Sequence, residues 1–299
     1  MPAPFLETDI VMGATTALIG PNNGRYPFGN SVLVAGSEER VLIDPSLGLV
    51  DRPALQVDRM LVSHAHEDHL AGVHLHPYAP LHAHHDDVAA LRELDALLDV
   101  YGMPEPMRTT WGRDVITEFH YSERADAAGF SHGQRFDVGG ASIDVVHLPG
   151  HTRGHCGFMI EPDGVFFVAD IDLSAFGPYY GDHWSDLSDF EQAIATCRTV
   201  DARFYATFHH RGVVAGREEF LRQLDIFEAV IGDRERRLLE FLAEPRTMDD
   251  IVEHRFVYRK DVQLVFADHV ERTSMGMHVA RLLADGRLTE TEPGKYRAS

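Results

Sequence analysis

Between residues 31 and 208 the apolar positions fall in short β-branched runs, separated by loops and by two stretches of helical spacing. SVLVAG (31–36) and VLID (41–44) flank the polar SEER and predict a hairpin. RMLVS (59–63), ASIDVVHL (141–148), GVFFVADI (164–171) and RFYATF (203–208) predict further strands. In HDDVAALRELDALLDVYG (85–102) the spacing of Val88, Leu91, Leu94 and Leu98 predicts one helix. In SDLSDFEQAIATC (185–197) Leu187, Phe190, Ile194 and Cys197 share a helical face, which makes Cys197 a core residue and not a reactive thiol. After Gly216 the texture changes. GREEFLRQLDIFEAVIG and DRERRLLEFLAE are helical, Pro245 interrupts, TMDDIVEH opens on a capping threonine, and a last helix near HVERTSMGMHVARLLADG precedes a hairpin with a Pro-Gly turn. Strands alternating with helices followed by helix, helix, helix, hairpin predict an α/β body over residues 1–232. A winged-helix-like α+β domain is expected over 233–299.

At 299 residues and 33.5 kDa the chain is long enough for this division. No apolar run approaches the roughly 20 residues that span a bilayer. The stretch MPAPFLETDIVMG carries acids and no basic segment, unlike a secretory signal, and two cysteines make no disulfide framework. A cytoplasmic location is the resulting expectation. The net charge of −20 argues against a polyanionic substrate. Residues 233–299 hold 13 acids and 12 bases and show no basic stripe, so a packing or dimerisation role is expected for them ahead of nucleic-acid binding.

The 19 histidines are unevenly placed. Ser63-His64-Ala65-His66-Glu67-Asp68-His69 puts three imidazoles and a ligand carboxylate just after a buried run, a pattern no apolar face explains. On a strand-to-helix turn His64 and His66 point to one side, with Asp68 and His69 a few ångströms away. Imidazole and carboxylate suit Zn²⁺, Fe²⁺ or Mn²⁺. His151 follows a strand in Leu148-Pro149-Gly150-His151-Thr152, where Pro149 and Gly150 turn the chain. Asp170 ends an apolar run, where a lone carboxylate is costly unless it meets a cation. His209 or His210 ends RFYATF.

These four strand ends, with HxHxDH and the downstream PGHTxGH, closely resemble the metallo-β-lactamase fold superfamily over about residues 10 to 230. The resemblance implies a four-layer αββα sandwich with two divalent metal ions, zinc first and iron or manganese as alternatives. His64, His66 and His151 would hold one ion. Asp68, His69 and His209 would hold the other, with Asp170 bridging; His210 is the alternative last ligand or a substrate contact. His155 is read as a loop support, and His74, His76, His82, His84 and His85 as mostly surface residues. By this resemblance two such cations would lower the pKa of a shared water toward about 7 and supply a hydroxide for attack on the substrate, while Asp68 would pass the proton. By the same resemblance, Tyr180 or Tyr179 would bond a substrate carbonyl.

The acidic body favours a small acyl substrate, whether ester, lactone or thioester. The remaining expected partner is a second copy of the chain, with neither nucleic acid nor membrane. Two alternatives share the motif: an iron-dependent sulfur dioxygenase with one iron on two His and an Asp, and a phosphodiesterase or nuclease that carries a C-terminal winged helix.

Overall fold

The computed structural model describes residues 8–262 and 264–299. The first seven residues, where the stretch compared with secretory signals begins, lie outside the described residues. Seven strands form one sheet in sequence order: β1 (Ile10–Met12), β2 (Thr15–Leu18), β3 (Ser31–Ala35), β4 (Arg40–Ile43), β5 (Arg59–Leu61), β6 (Leu81–His84) and β7 (Ala128–Phe130). A short turn, α1 (Pro21–Gly24), follows β2, and α2 (Glu67–Leu70) follows β5. Helices α3 (Val88–Arg92), α4 (Leu94–Tyr101) and α5 (Met107–Thr117) lie between β6 and β7. The second sheet holds β8 (Arg135–Asp137), β9 (Ser142–His147), β10 (Cys156–Glu161), β11 (Val165–Phe167), β12 (Phe204–Ala206) and β13 (Val213–Ala215), with α6 (Leu187–Thr199) between β11 and β12.

Alternation along the strands explains why the sheets stack. Val32, Val34, Val41 and Ile43 face Ile143, Val145, Phe158 and Phe167 across the central core. The intervening Leu33, Leu42 and Met60 pack outward on Leu91, Leu97 and Val115 of the first helical layer. Phe166 and Tyr205 pack outward on Phe190, Ile194, Leu224 and Phe227 of the second. Both faces of each sheet are therefore buried, which is the sheet sandwich of a mixed α/β fold. Cys197 is fully buried, and burial raises its thiol pKa, as its place on the apolar face of α6 predicts.

Two expected helices come out differently. The helix expected over 85–102 is two helices, because Glu93 takes an extended backbone at φ −140° and ψ 132°. Tertiary bonds hold that step: Arg92 donates to the Ala127 carbonyl, and the Leu94 amide donates to Glu123. The two helical stretches either side of Gly232 form one helix, α7 (Arg217–Phe241), which runs across the expected 232/233 boundary.

Beyond α7 come β14 (Arg246–Thr247), α8 (Met248–His254), α9 (Ala267–Ala284), β15 (Leu288–Glu292) and β16 (Lys295–Ala298), with sheet order β14-β16-β15. Thr247 caps α8 through a reciprocal capping box with Asp250. This region is bound closely to the sandwich. Arg234, buried on α7, donates to the carbonyls of Pro178 and Phe176, and Arg281 pairs with Glu191. Among the described residues no helix is long and apolar enough to cross a membrane.

Candidate metal centre

Strands β4 and β5 run parallel, as do β11 and β12, and β9 shares the direction of β11 through the antiparallel β10. Their C-terminal ends therefore gather at one edge of the sandwich, where Asp44, Ser63, His151, Asp170 and His209 leave their strands. His64, His66, His151 and Asp170 form one group, and Asp68, His69 and His209 a second; within each, one ligand atom per residue lies within 4.8 Å of the others. Asp170 touches both. Its Oδ2 is 3.3 Å from His151 Nε2, and its Oδ1 is 3.1 Å from His69 Nε2. His209 Nε2 is 3.1 Å from Asp68 Oδ2.

The outer nitrogens of His64, His69, His151 and His209 are hydrogen-bonded, which leaves their inner ones as lone-pair donors. His64 Nδ1 donates to Ser63 Oγ at 3.0 Å, since the Ser63 hydroxyl gives its own proton to Asp44 Oδ2 at 2.6 Å. His69 Nδ1 donates to Asp44 Oδ2 at 2.8 Å, and His151 Nδ1 to the Tyr179 carbonyl at 2.8 Å. His209 Nδ1 donates to the Gly24 carbonyl at 2.7 Å, so the turn of α1 reaches the centre. His66 turns its Nε2 to Asp182, 3.0 Å away, and its Nδ1 to His64 Nε2, also at 3.0 Å. His151 Nε2 completes the first group at 3.1 Å from His64 Nε2.

This donor set fits divalent metal ions. The inner nitrogens of His64, His66 and His151 face one another, and His69 Nε2 and Asp170 Oδ1 are buried without a hydrogen-bond partner. Burial and the neighbouring imidazoles of His69, His151 and His66 hold the His64 pKa well below its usual value, so its ring is neutral. Burial alone would raise the pKa of Asp170; His69 and His209 hold it well below the usual carboxylate range.

Three acids that sequence reasoning did not single out organise the centre. Asp44 accepts from the Ser63 amide and hydroxyl and from His69. Asp87 accepts from the Ala65 amide, the Thr152 hydroxyl and the Gly154 amide, which ties the two histidine loops together. Asp182 orients His66. Only Asp44 carried a signal, as the last residue of the apolar run VLID. Asp44→Asn puts an amide donor against the His69 and Ser63 donors. The expected result is a loss of metal affinity of about 10- to 100-fold, read by chelator competition.

Tyr180 is not at the centre. It is fully buried, and its hydroxyl donates to His278 Nε2 at 2.9 Å. Consecutive residues of an extended segment point to opposite sides, and it is Tyr179 that faces the histidines, 5.6 Å from the His151 ring. His210 stands outside both groups, half-exposed, with its nearest acid Asp172 at 3.7 Å. His155 donates to the Leu148 carbonyl and accepts from the Asp170 amide, the loop support expected of it. His84, expected at the surface, is buried and stacked on His147 with ring centroids 4.1 Å apart.

Gly150 sets the turn into His151. Its φ is +122°, and an added Cβ would stand 2.1 Å from the Phe190 amide nitrogen. Gly150→Ala is expected to cost about 2–4 kcal/mol, measured from the denaturant midpoint, because both backbone and neighbour must shift.

The family model of the metallo-beta-lactamase superfamily matches residues 25–226, most of the chain and every residue of the two ligand groups. The chain belongs to the metallo-beta-lactamase superfamily. A member of the metallo-beta-lactamase family from Thermus thermophilus shares its fold, with a TM-score of 0.69 at 19% identity over 96% of this chain and 99% of that one. The chain is 28% identical to a hydroxyacylglutathione hydrolase of Rhizobium meliloti over half its length, spanning 45% of that relative. It is 23% identical to an atrochrysone carboxyl ACP thioesterase of Aspergillus fumigatus over 82% of this chain and 71% of that one. With a human acyl-coenzyme A thioesterase it shares 26% identity over 58% of this chain and 69% of the relative. Against a lactamase-like protein of Pestalotiopsis fici it spans 47% of the relative's length. Several of these relatives are named as a hydrolase or as thioesterases, and this chain carries His and Asp groups that could hold metal ions.

Proposed function

We propose that the chain is a metal-dependent hydrolase of small acyl thioesters, with two metal ions, zinc in the first instance. The observation that carries this is the meeting of two ligand groups at Asp170, with Asp68 alongside. His64, His66 and His151 would hold one ion, Asp68, His69 and His209 the other, with Asp170 between them. Bound there, the ions would lower the pKa of a water and polarise the substrate carbonyl.

The protein's own groups do the rest. Asp68 Oδ2 is engaged by His209, while Oδ1 stands 4.0 Å from His69 Nε2; Oδ1 is the atom that takes the proton of the attacking water. As the carbonyl C–S bond breaks, that proton passes to the leaving thiolate. Asp44, Asp182 and the Tyr179 carbonyl hold the imidazoles in the tautomers that aim inward. His210, at the rim, is placed to contact substrate, and the region beyond α7 is read as winged-helix-like from its strand–helix–helix–strand–strand order.

Thioesters stand ahead of esters and lactones because curated relatives include thioesterases acting on carrier-protein and coenzyme A substrates. The test is a panel of ester, lactone, thioester and phosphodiester substrates, with metal content measured on the same sample. Thioester turnover that a chelator abolishes and divalent zinc restores is expected. A single iron with oxygen uptake, or phosphodiester cleavage with no acyl hydrolysis, overturns the reading.

A further inference from the structure

A cavity of about 350 Å³ lies between α7 and the segment of residues 254–260 that follows α8. Arg237, Arg255, Arg259 and Lys260 line it together with His254 and Tyr258, and among the described residues no acid does. In a chain of net charge −20 with two lysines, this is a local reversal of sign. The imidazole of His254 registers it: burial, and then Lys260, Arg237 and Arg246, push its pKa down. Asp233, Asp261 and Asp268 pair with Arg237, Arg259 and Arg255, all three arginines of the lining, but none of these acids lines the cavity. Among the described residues Lys260 has no partner, and Arg255 keeps Nη1 buried without one.

The segment is built to stay where it is. The fully buried carboxylate of Glu271 accepts from the amides of Phe256, Val257 and Tyr258, at 3.0, 2.9 and 2.7 Å. Arg255 holds φ 69° and ψ 113°, a strained backbone for a residue with a side chain. Tyr258, at the centre of the segment, packs on Phe176 of the loop that follows Asp170, with ring centroids 5.5 Å apart. Through Phe176 the segment reaches the loop that leads from Asp170 to Tyr179, and its cations line the cavity.

We propose that this cavity binds the phosphate of a phosphopantetheine-type thiol carrier, so that the region beyond α7 selects the leaving group of the thioester. The proposal rests on the thioesterase reading of the metal centre. A thioester of this class places an anionic phosphate at the far end of a long neutral arm, and an acidic enzyme that carries a cationic pocket apart from the two ligand groups offers it a place to bind. Arginine and lysine are the groups that meet phosphate through charge-assisted bonds. A cavity of this size has room for a phosphate group. A nucleic-acid strand needs cations along an extended path, which the surrounding acids deny it.

The metal-loaded 299-residue chain is assayed with one acyl group carried as the thioester of coenzyme A, of 4′-phosphopantetheine and of pantetheine. The expected kcat/KM for the phosphorylated carriers is at least about tenfold that for pantetheine, and the ratio falls toward one in Arg259→Gln/Lys260→Gln, whose changes are both at exposed positions. Equal preference for coenzyme A and phosphopantetheine assigns recognition to the phosphate next to the arm, as on a carrier protein. Preference for coenzyme A alone assigns it to the nucleotide phosphates. A ratio near one in the wild type, or one unchanged in the double variant, overturns the proposal.

Calorimetric titration with the inert S-methyl coenzyme A and S-methyl pantetheine separates this site from the chemistry. Binding of the first alone, lost in the double variant, upholds the pocket even if no thioester is hydrolysed, in which case only the thioesterase reading fails. Equal binding of both probes, or tighter binding of a short oligoribonucleotide through the same two residues, overturns the pocket.

Discussion

Asp68→Ala is expected to lower kcat/KM on the acyl substrate by about 10³-fold or more, with the melting transition preserved. A positioned acid–base group contributes about 10²–10⁴-fold, and Asp68 stands in the second ligand group as well. The fold has little stake in this carboxylate. His209 is its close partner, while Asp170 is a like charge nearby that opposes its ionisation. Asp68→Asn divides the two roles, since an amide oxygen can still approach a cation but cannot accept the proton. That variant is expected to retain more metal than Asp68→Ala and to be as slow. Near wild-type turnover in either variant, with metal content verified, would remove Asp68 from the chemistry.

A chain ending at residue 232 is expected to be insoluble, or to unfold without a cooperative transition. The cut divides α7 and removes the buried Arg234, which holds the Phe176 and Pro178 carbonyls. It also removes His278 from the Tyr180 hydroxyl, His269 from the Tyr101 carbonyl and Phe266 from the face of Trp111, whose ring centroid is 5.8 Å away. Val270, against Gly181, goes too. Each large apolar side chain newly exposed costs about 1.5–3 kcal/mol, and a few of them consume the whole of a typical stability of about 5–15 kcal/mol. A soluble truncated protein melting within a few degrees of the full chain would show that the sandwich is complete without this region.

The candidate ligand residues were legible because their signal is local. HAHEDH packs four ligand-type side chains into six positions at the end of a strand, and Pro149-Gly150 marks the turn before His151 by chain stereochemistry alone. His209 and His210 sit side by side, and spacing alone left both open. The structure separates them by backbone: His210 is at φ 62°, turned toward Asp172, while His209 points at Asp68. The choice between Tyr179 and Tyr180 is of the same kind. Adjacent residues differ by which side of the strand they leave, and the packing of His278 against Tyr180 decides it.

By itself, then, the sequence determined what depends on neighbours along the chain: the strands, the amphipathic helices, the strand-end ligands and the acidic charge. The tertiary structure decided whatever depends on residues far apart in sequence. Asp44, Asp87 and Asp182 each look like one acid among 47, and become organisers only when folding brings them to Ser63, Thr152 and His66. The break at Glu93 follows from bonds to Ala127 and Glu123 that no helical periodicity contains. The basic cavity arises the same way, since Arg237 of α7 meets Arg255, Arg259 and Lys260 only because Glu271 of α9 gathers the intervening amides. A buried carboxylate needs its donors close by, and in this chain those donors come from residues well separated in sequence.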